Sequence, residues 1–200
     1  MRVTIENSAK KLLNENEYNE LLEISESGNI FEGVYNFDIK LGGVGIHNIN
    51  DFKKRGRYHI RDRDIFRPFQ YIEAYLDFDQ PHIEWVTREI VHMCGLHLEC
   101  LVKRLTGQDK LPLGQGLMYA IAEYKLDKQT VSYIRVILQP YNDAKHRLSQ
   151  EMDTHLFNMK QMLICYGATR KLSLKVMPMV KLYTDPSVWN GNINLIGDGL

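Results

Sequence analysis

The sequence predicts a mainly α-helical protein: a helical bundle over residues 80 to 200, preceded by a mixed N-terminal region, residues 1 to 79, in which a β-strand is expected. Three observations carry this reading. From His82 onward apolar residues recur at the helical spacing of about 3.6. Gly107, Pro112, Gly114, Pro140 and Pro178 punctuate that stretch at helix-length intervals. The period of the apolar residues changes near Asp79-Gln80-Pro81, which sets the boundary. At 200 residues and 44% hydrophobic, the chain has enough apolar material for a core of its own.

Taken in order, Met1-Arg2-Val3-Thr4-Ile5-Glu6-Asn7 carries charge where a secretory signal needs an apolar core. No stretch approaches the roughly 18 apolar residues of a membrane span, so a cytoplasmic protein without a membrane partner is expected. Asn14 to Leu22 suits a short helix, whereas Ile30 to Ile39 alternates in the manner of a strand. Gly42-Gly43-Val44-Gly45 lacks both the third glycine of a dinucleotide fingerprint and the Lys-Ser/Thr of a P-loop, and reads as a turn. In His82 to Leu105, residues Ile83, Val86, Ile90, Cys94, Leu101 and Leu105 form one stripe that stops at Gly107. Gln108 to Gly116 is a connection. Leu117 to Leu138 resumes helical spacing, with a break around Leu126-Asp127. Pro140 lacks a backbone donor and disfavours helix at Gln139, so it is expected to kink or restart the chain and to leave Asn142 at a helix start. The last helix spans Thr154 to about Val176 on a stripe of Met159, Met162, Leu163 and Tyr166.

Lysine plus arginine equal aspartate plus glutamate at 25 each, so no global field draws the chain to a polyanion and any basic surface must be local. The densest positive run holds Lys53, Lys54, Arg55, Arg57, Arg61 and Arg63, interleaved with Tyr58 and partly cancelled by Asp62 and Asp64. It reads equally as a surface for phosphates and unpaired bases or as a solvated linker with local ion pairs. Cys94, Cys100 and Cys165 lie in apolar stretches without paired spacing, as reduced buried thiols do.

Tyr141-Asn142-Asp143-Ala144-Lys145-His146 gathers an amide, an ammonium and an imidazole, groups able to hold a phosphate and move a proton; the same composition also suits a solvated helix face. Two carboxylate and imidazole pairs at i and i+3, Glu89/His92 and Asp143/His146, have the spacing of a carboxylate-bridged di-iron bundle. Relative to Ile83, His92 falls about 180° and Glu89 about 120° around the helix, away from a bundle interior, and no metal is expected. His97 falls within the apolar stripe, where a buried histidine with a backbone partner is the common arrangement.

The order of His97-Leu98-Glu99-Cys100-Leu101-Val102-Lys103, Leu111-Pro112-Leu113-Gly114, Tyr141-Asn142-Asp143-Ala144-Lys145-His146 and Arg170-Lys171-Leu172 resembles the HEPN superfamily over residues 80 to 180. That resemblance implies a dimerising helical bundle. It also implies a metal-independent ribonuclease of a toxin or defence system, or an inactive RNA-binding relative, with a homodimer and a toxin–antitoxin or defence partner as expected associations and no cofactor. The family motif is an arginine, often followed by asparagine, with a histidine after four to six intervening residues. Asn142 and His146 match it, and Tyr141 stands where the arginine belongs.

Metal-free RNA cleavage needs a base for the ribose 2′-hydroxyl and a cation for the charge that develops on the phosphoryl oxygens. His146 suits the first role, with Asn142 fixing the phosphate or the imidazole tautomer. The second would pass from Tyr141 to Lys145, Arg147 or Arg170. The resulting expectation is an RNA-directed endoribonuclease; its rivals are a noncatalytic RNA-binding or assembly module and, third, a metal-dependent helical enzyme.

Overall fold

The computed structural model describes residues 12–46, 58–77, 82–124, 126–147 and 156–191. Among them are seven α-helices and no strand: α1 Glu15–Glu26, α2 Ile30–Lys40, α3 Arg63–Leu76, α4 Thr87–Thr106, α5 Leu113–Tyr124, α6 Lys128–His146 and α7 Met159–Val176. The helix starts follow local chemistry. Asn14 and Asn158 form capping boxes with Glu17 and Gln161, and the Asp127 carboxylate accepts from Thr130 N at 2.8 Å, which produces the break expected near Leu126-Asp127. Gly107 ends α4 in the left-handed conformation at φ 65°, where a side chain would be strained.

Four elements differ from the sequence reading. Helix α5 begins at Leu113, inside the segment read as a connection, and α7 begins at Met159, where Asn158 caps it. The segment Ile30–Lys40 is a helix, because its buried residues Ile30, Val34, Phe37 and Asp38 fall at helical spacing and Asn29 caps it by accepting from Glu32 N at 3.2 Å. Pro140 lies inside an unbroken α6. Ile137, Tyr141 and Ala144, buried on both sides of the proline, hold the two halves of the helix in the core, and that packing outweighs the lost backbone bond. Asn142 therefore lies near the C-terminal end of α6, where carbonyls rather than N–H groups are free.

Helix α4 is the hub and packs on α3, α5, α6 and α7. Its Ile90, Val91 and Cys94 join one apolar core with α1, α2 and the first half of α7, while Leu98, Leu101, Val102 and Leu105 join a second with α5, α6 and the end of α7. Both cores include residues from α3, so the packing extends ahead of residue 80. Of the expected inward positions, Ile83, Ile90, Cys94, Leu101, Leu163 and Tyr166 are buried, while Val86 and Met159 are half-buried. Cys94 and Cys165 are free and buried; burial pushes the Cys94 thiol up to about 12. No described helix is long and apolar enough to cross a membrane.

Between the two cores lies a buried polar layer. His97, on α4 between Cys94 and Leu98, joins three helices: Nδ1 donates to the Ile65 carbonyl of α3 at 2.8 Å and Nε2 faces the Ser173 hydroxyl of α7 at 2.9 Å. Arg170 of α7 is fully buried, its Nε 2.5 Å from the Asp38 carboxylate of α2 and its guanidinium over the Phe69 ring at 4.7 Å.

Candidate functional site

The end of α6 presents two faces. Tyr141 and Ala144 turn inward, and Asn142, Lys145 and His146 are exposed. Asn142 and His146, one turn apart, share a side of the helix. The basic last turn, Lys145 and His146, complements the negative end of the helix dipole. A phosphate here would be held by side chains, since the free N–H groups expected beside Asn142 belong to the opposite end of the helix.

Tyr141 is 2% exposed and serves the α4–α6 seam. Its hydroxyl donates to Glu99 Oε2 at 2.6 Å, and Lys103 pairs with Glu99 Oε1 at 2.7 Å. The His92 ring stacks on Tyr141 at 5.7 Å between centroids with 17° between planes, and Lys145 Nζ lies 5.5 Å from the Tyr141 ring centre. Burial raises the Tyr141 phenol well above its usual value, and the Glu99 charge raises it further, so the hydroxyl remains a donor. Burial also pushes the Glu99 carboxyl up, but hydrogen bonds from Lys103 and Tyr141 outweigh it and the net shift is downward. His92 is held below the usual imidazole value by burial, with Arg88 and Lys145 adding to this against Glu89.

The predicted cations separate. Arg170 is not available to RNA: it is enclosed by Asp38, Ser173 and Phe69 because α7 buries it between the two cores. Arg147 is exposed but pairs with Asp143 at 3.0 Å. Lys145 is exposed and has no ion-pair partner among the described residues. Arg61 and Arg63 are exposed; Lys53, Lys54, Arg55 and Arg57 lie outside the described residues. The described residues contain no group of three or more His, Cys, Asp or Glu placed to hold a metal ion.

Sequence reasoning missed His92, Glu99 and Lys103 as neighbours of the motif. The Glu99/Lys103 pair carried a signal, the i and i+4 spacing of an ion pair on one helix face, whereas its link to Tyr141, 42 positions away, had none. No protein-family model, curated protein or solved structure matches the chain.

The fit of Tyr141 depends on Gly95. A Cβ at position 95 would stand 2.1 Å from Tyr141 Cγ. Helix propensity alone favours Gly95→Ala by about 1 kcal/mol, but overpacking against an aromatic ring between two helices costs about 1–3 kcal/mol. Gly95→Ala should therefore lower the urea midpoint with little change in slope, and a raised midpoint would show that Tyr141 can yield.

Proposed function

We propose that the protein acts on RNA through the exposed end of α6, as a metal-independent endoribonuclease of HEPN-like, toxin or defence type, with His146 as general base. The supporting observation is that Asn142, Lys145 and His146 are presented together to solvent while Tyr141, at the family's arginine position, is drawn into the core. In this reading His146 takes the 2′-hydroxyl proton and Asn142 hydrogen-bonds a phosphoryl oxygen. Lys145 supplies point charge, without the paired geometry of a guanidinium. A second copy of the chain would supply a second set of these groups.

A noncatalytic RNA-binding or assembly module is the second reading, favoured by Tyr141, which brings no guanidinium to the motif position and turns its phenol into the core against Glu99. RNA cleavage in chelator, with wild type beside His146→Ala and Lys145→Ala, separates the two. Catalysis predicts a loss of about a hundredfold or more for His146→Ala with the helical spectrum unchanged. Inert wild type that still binds RNA supports the second reading.

A further inference from the structure

We propose that Arg61, Arg63 and Arg67, together with Tyr71 and Tyr183, form a docking surface for single-stranded polynucleotide; this rests on the RNA reading above and adds a requirement for unpaired bases. The sequence suggested that Asp62 and Asp64 cancel the neighbouring arginines. They are engaged elsewhere. Asp62 is fully buried, and its Oδ2 accepts from Tyr183 N at 2.8 Å, Thr184 N at 2.7 Å and the Thr184 hydroxyl at 2.7 Å. Asp64 pairs with Arg104 of α4 at 2.7 Å, and Arg104 also reaches Asp62 at 3.4 Å. Arg61, Arg63 and Arg67 thus have no ion-pair partner among the described residues.

The same bonds that occupy Asp62 bring the segment around Tyr183 beside residues 59–61. Arg61 lies over the Tyr183 ring at 4.8 Å from its centre, and His59 stacks on that ring at 5.5 Å. One turn beyond Arg63, Arg67 lies over the Tyr71 ring at 5.2 Å and its Nε donates to the Tyr71 hydroxyl at 3.0 Å. Tyr183 is 49% and Tyr71 41% exposed, so neither ring is consumed by the core. Arg61 and Arg67 are six residues apart in sequence, roughly 10 Å of helical rise, a length that a few nucleotides of flexible strand can span. Cations without a described carboxylate partner meet the phosphates, while exposed tyrosine rings and guanidinium planes accept base faces. A duplex keeps its base faces stacked inside, and an acidic peptide needs cations without rings. The combination therefore favours unpaired bases over either.

Fluorescence anisotropy of the full chain with labelled oligo(U) and oligo(dT) of about 15 nucleotides, and with a duplex of equal length, tests this. Both single strands should bind at least about tenfold more tightly than the duplex; preference for one of them identifies RNA or DNA as the source. Tyr183→Ala and Tyr71→Ala should each weaken binding about tenfold, Tyr183→Phe should retain it, and Arg63→Gln should lower the log–log salt slope by about 0.7. Equal affinity for duplex and single strand, unchanged affinity in both alanine variants, or binding to anionic vesicles in place of either strand would overturn the proposal. RNA cleavage by wild type beside His146→Ala reports on the catalytic reading, while strand binding by the tyrosine variants reports on this one.

Discussion

Asp38→Ala should destabilise the fold by about 3–5 kcal/mol, because it leaves the Arg170 guanidinium buried without a counter-charge. Arg170 is fully buried and cannot shed its proton. Asp38 holds Arg170 Nε at 2.5 Å and also accepts the Gly45 N–H at 2.8 Å, so its loss strands a charge and a backbone donor together. The other groups around Arg170, the Ser173 hydroxyl and the Tyr166 phenol, are neutral and cannot replace the lost charge. Arg170→Met should be less severe, since the abandoned carboxyl can take up a proton. The double variant Asp38→Leu/Arg170→Met should recover much of the Asp38→Ala loss, as apolar replacement of a whole buried pair often does. Urea unfolding of the set measures the coupling between the two positions. A loss below about 1 kcal/mol for Asp38→Ala would mean that water reaches Arg170.

Acid should unfold the protein through His97. Burial, with some help from Arg170, lowers its pKa from 6.5 to about 3, so the folded protein keeps the imidazole neutral where the unfolded chain binds a proton. The unfolded state then holds more protons between those two values, and stability falls as pH drops through that window. The slope is about 1.4 kcal/mol per pH unit, on the order of 5 kcal/mol across the whole window. The geometry supplies the reason. Nδ1 donates to the Ile65 carbonyl, which leaves Nε2 of the neutral ring to accept from Ser173, and a second ring proton would place an unpaired charge in the core beside Arg170. Urea unfolding at several pH values should show this limb in wild type and lose it in His97→Gln, whose amide does not titrate. An unaltered limb in the variant would assign acid sensitivity to other groups.

His97 was legible in the sequence because its place in the apolar stripe implied burial and a backbone partner. Arg170 was not. Its neighbours Lys171 and Lys175 are ordinary helix cations, half-buried and exposed, and nothing local marks Arg170 as the one turned toward Asp38, 132 positions away. The strand expected over Ile30 to Ile39 rested on alternation alone, whereas in the structure Asn29 caps a helix there by accepting from Glu32 N. The restart expected at Pro140 weighed a local backbone penalty without the packing on both sides of it. At the motif, the identities of Asn142, Lys145 and His146 were readable, but the inward turn of Tyr141 depends on Gly95 and Glu99 of another helix.

The sequence by itself determined the helical class, the helix start near Asn14, the break at Leu126-Asp127, the stop at Gly107 and most of the inward stripe on α4, because propensity, capping and amphipathic spacing act within a few residues along the chain. Only the tertiary structure decided which carboxylate meets which cation: Asp38 takes Arg170, Asp64 takes Arg104, and Asp62 binds the Tyr183–Thr184 segment. That choice leaves Arg61, Arg63 and Lys145 exposed and without described ion-pair partners, and it follows from burial, since a polar group enclosed by helices must find its partner in whatever distant segment the packing brings within reach.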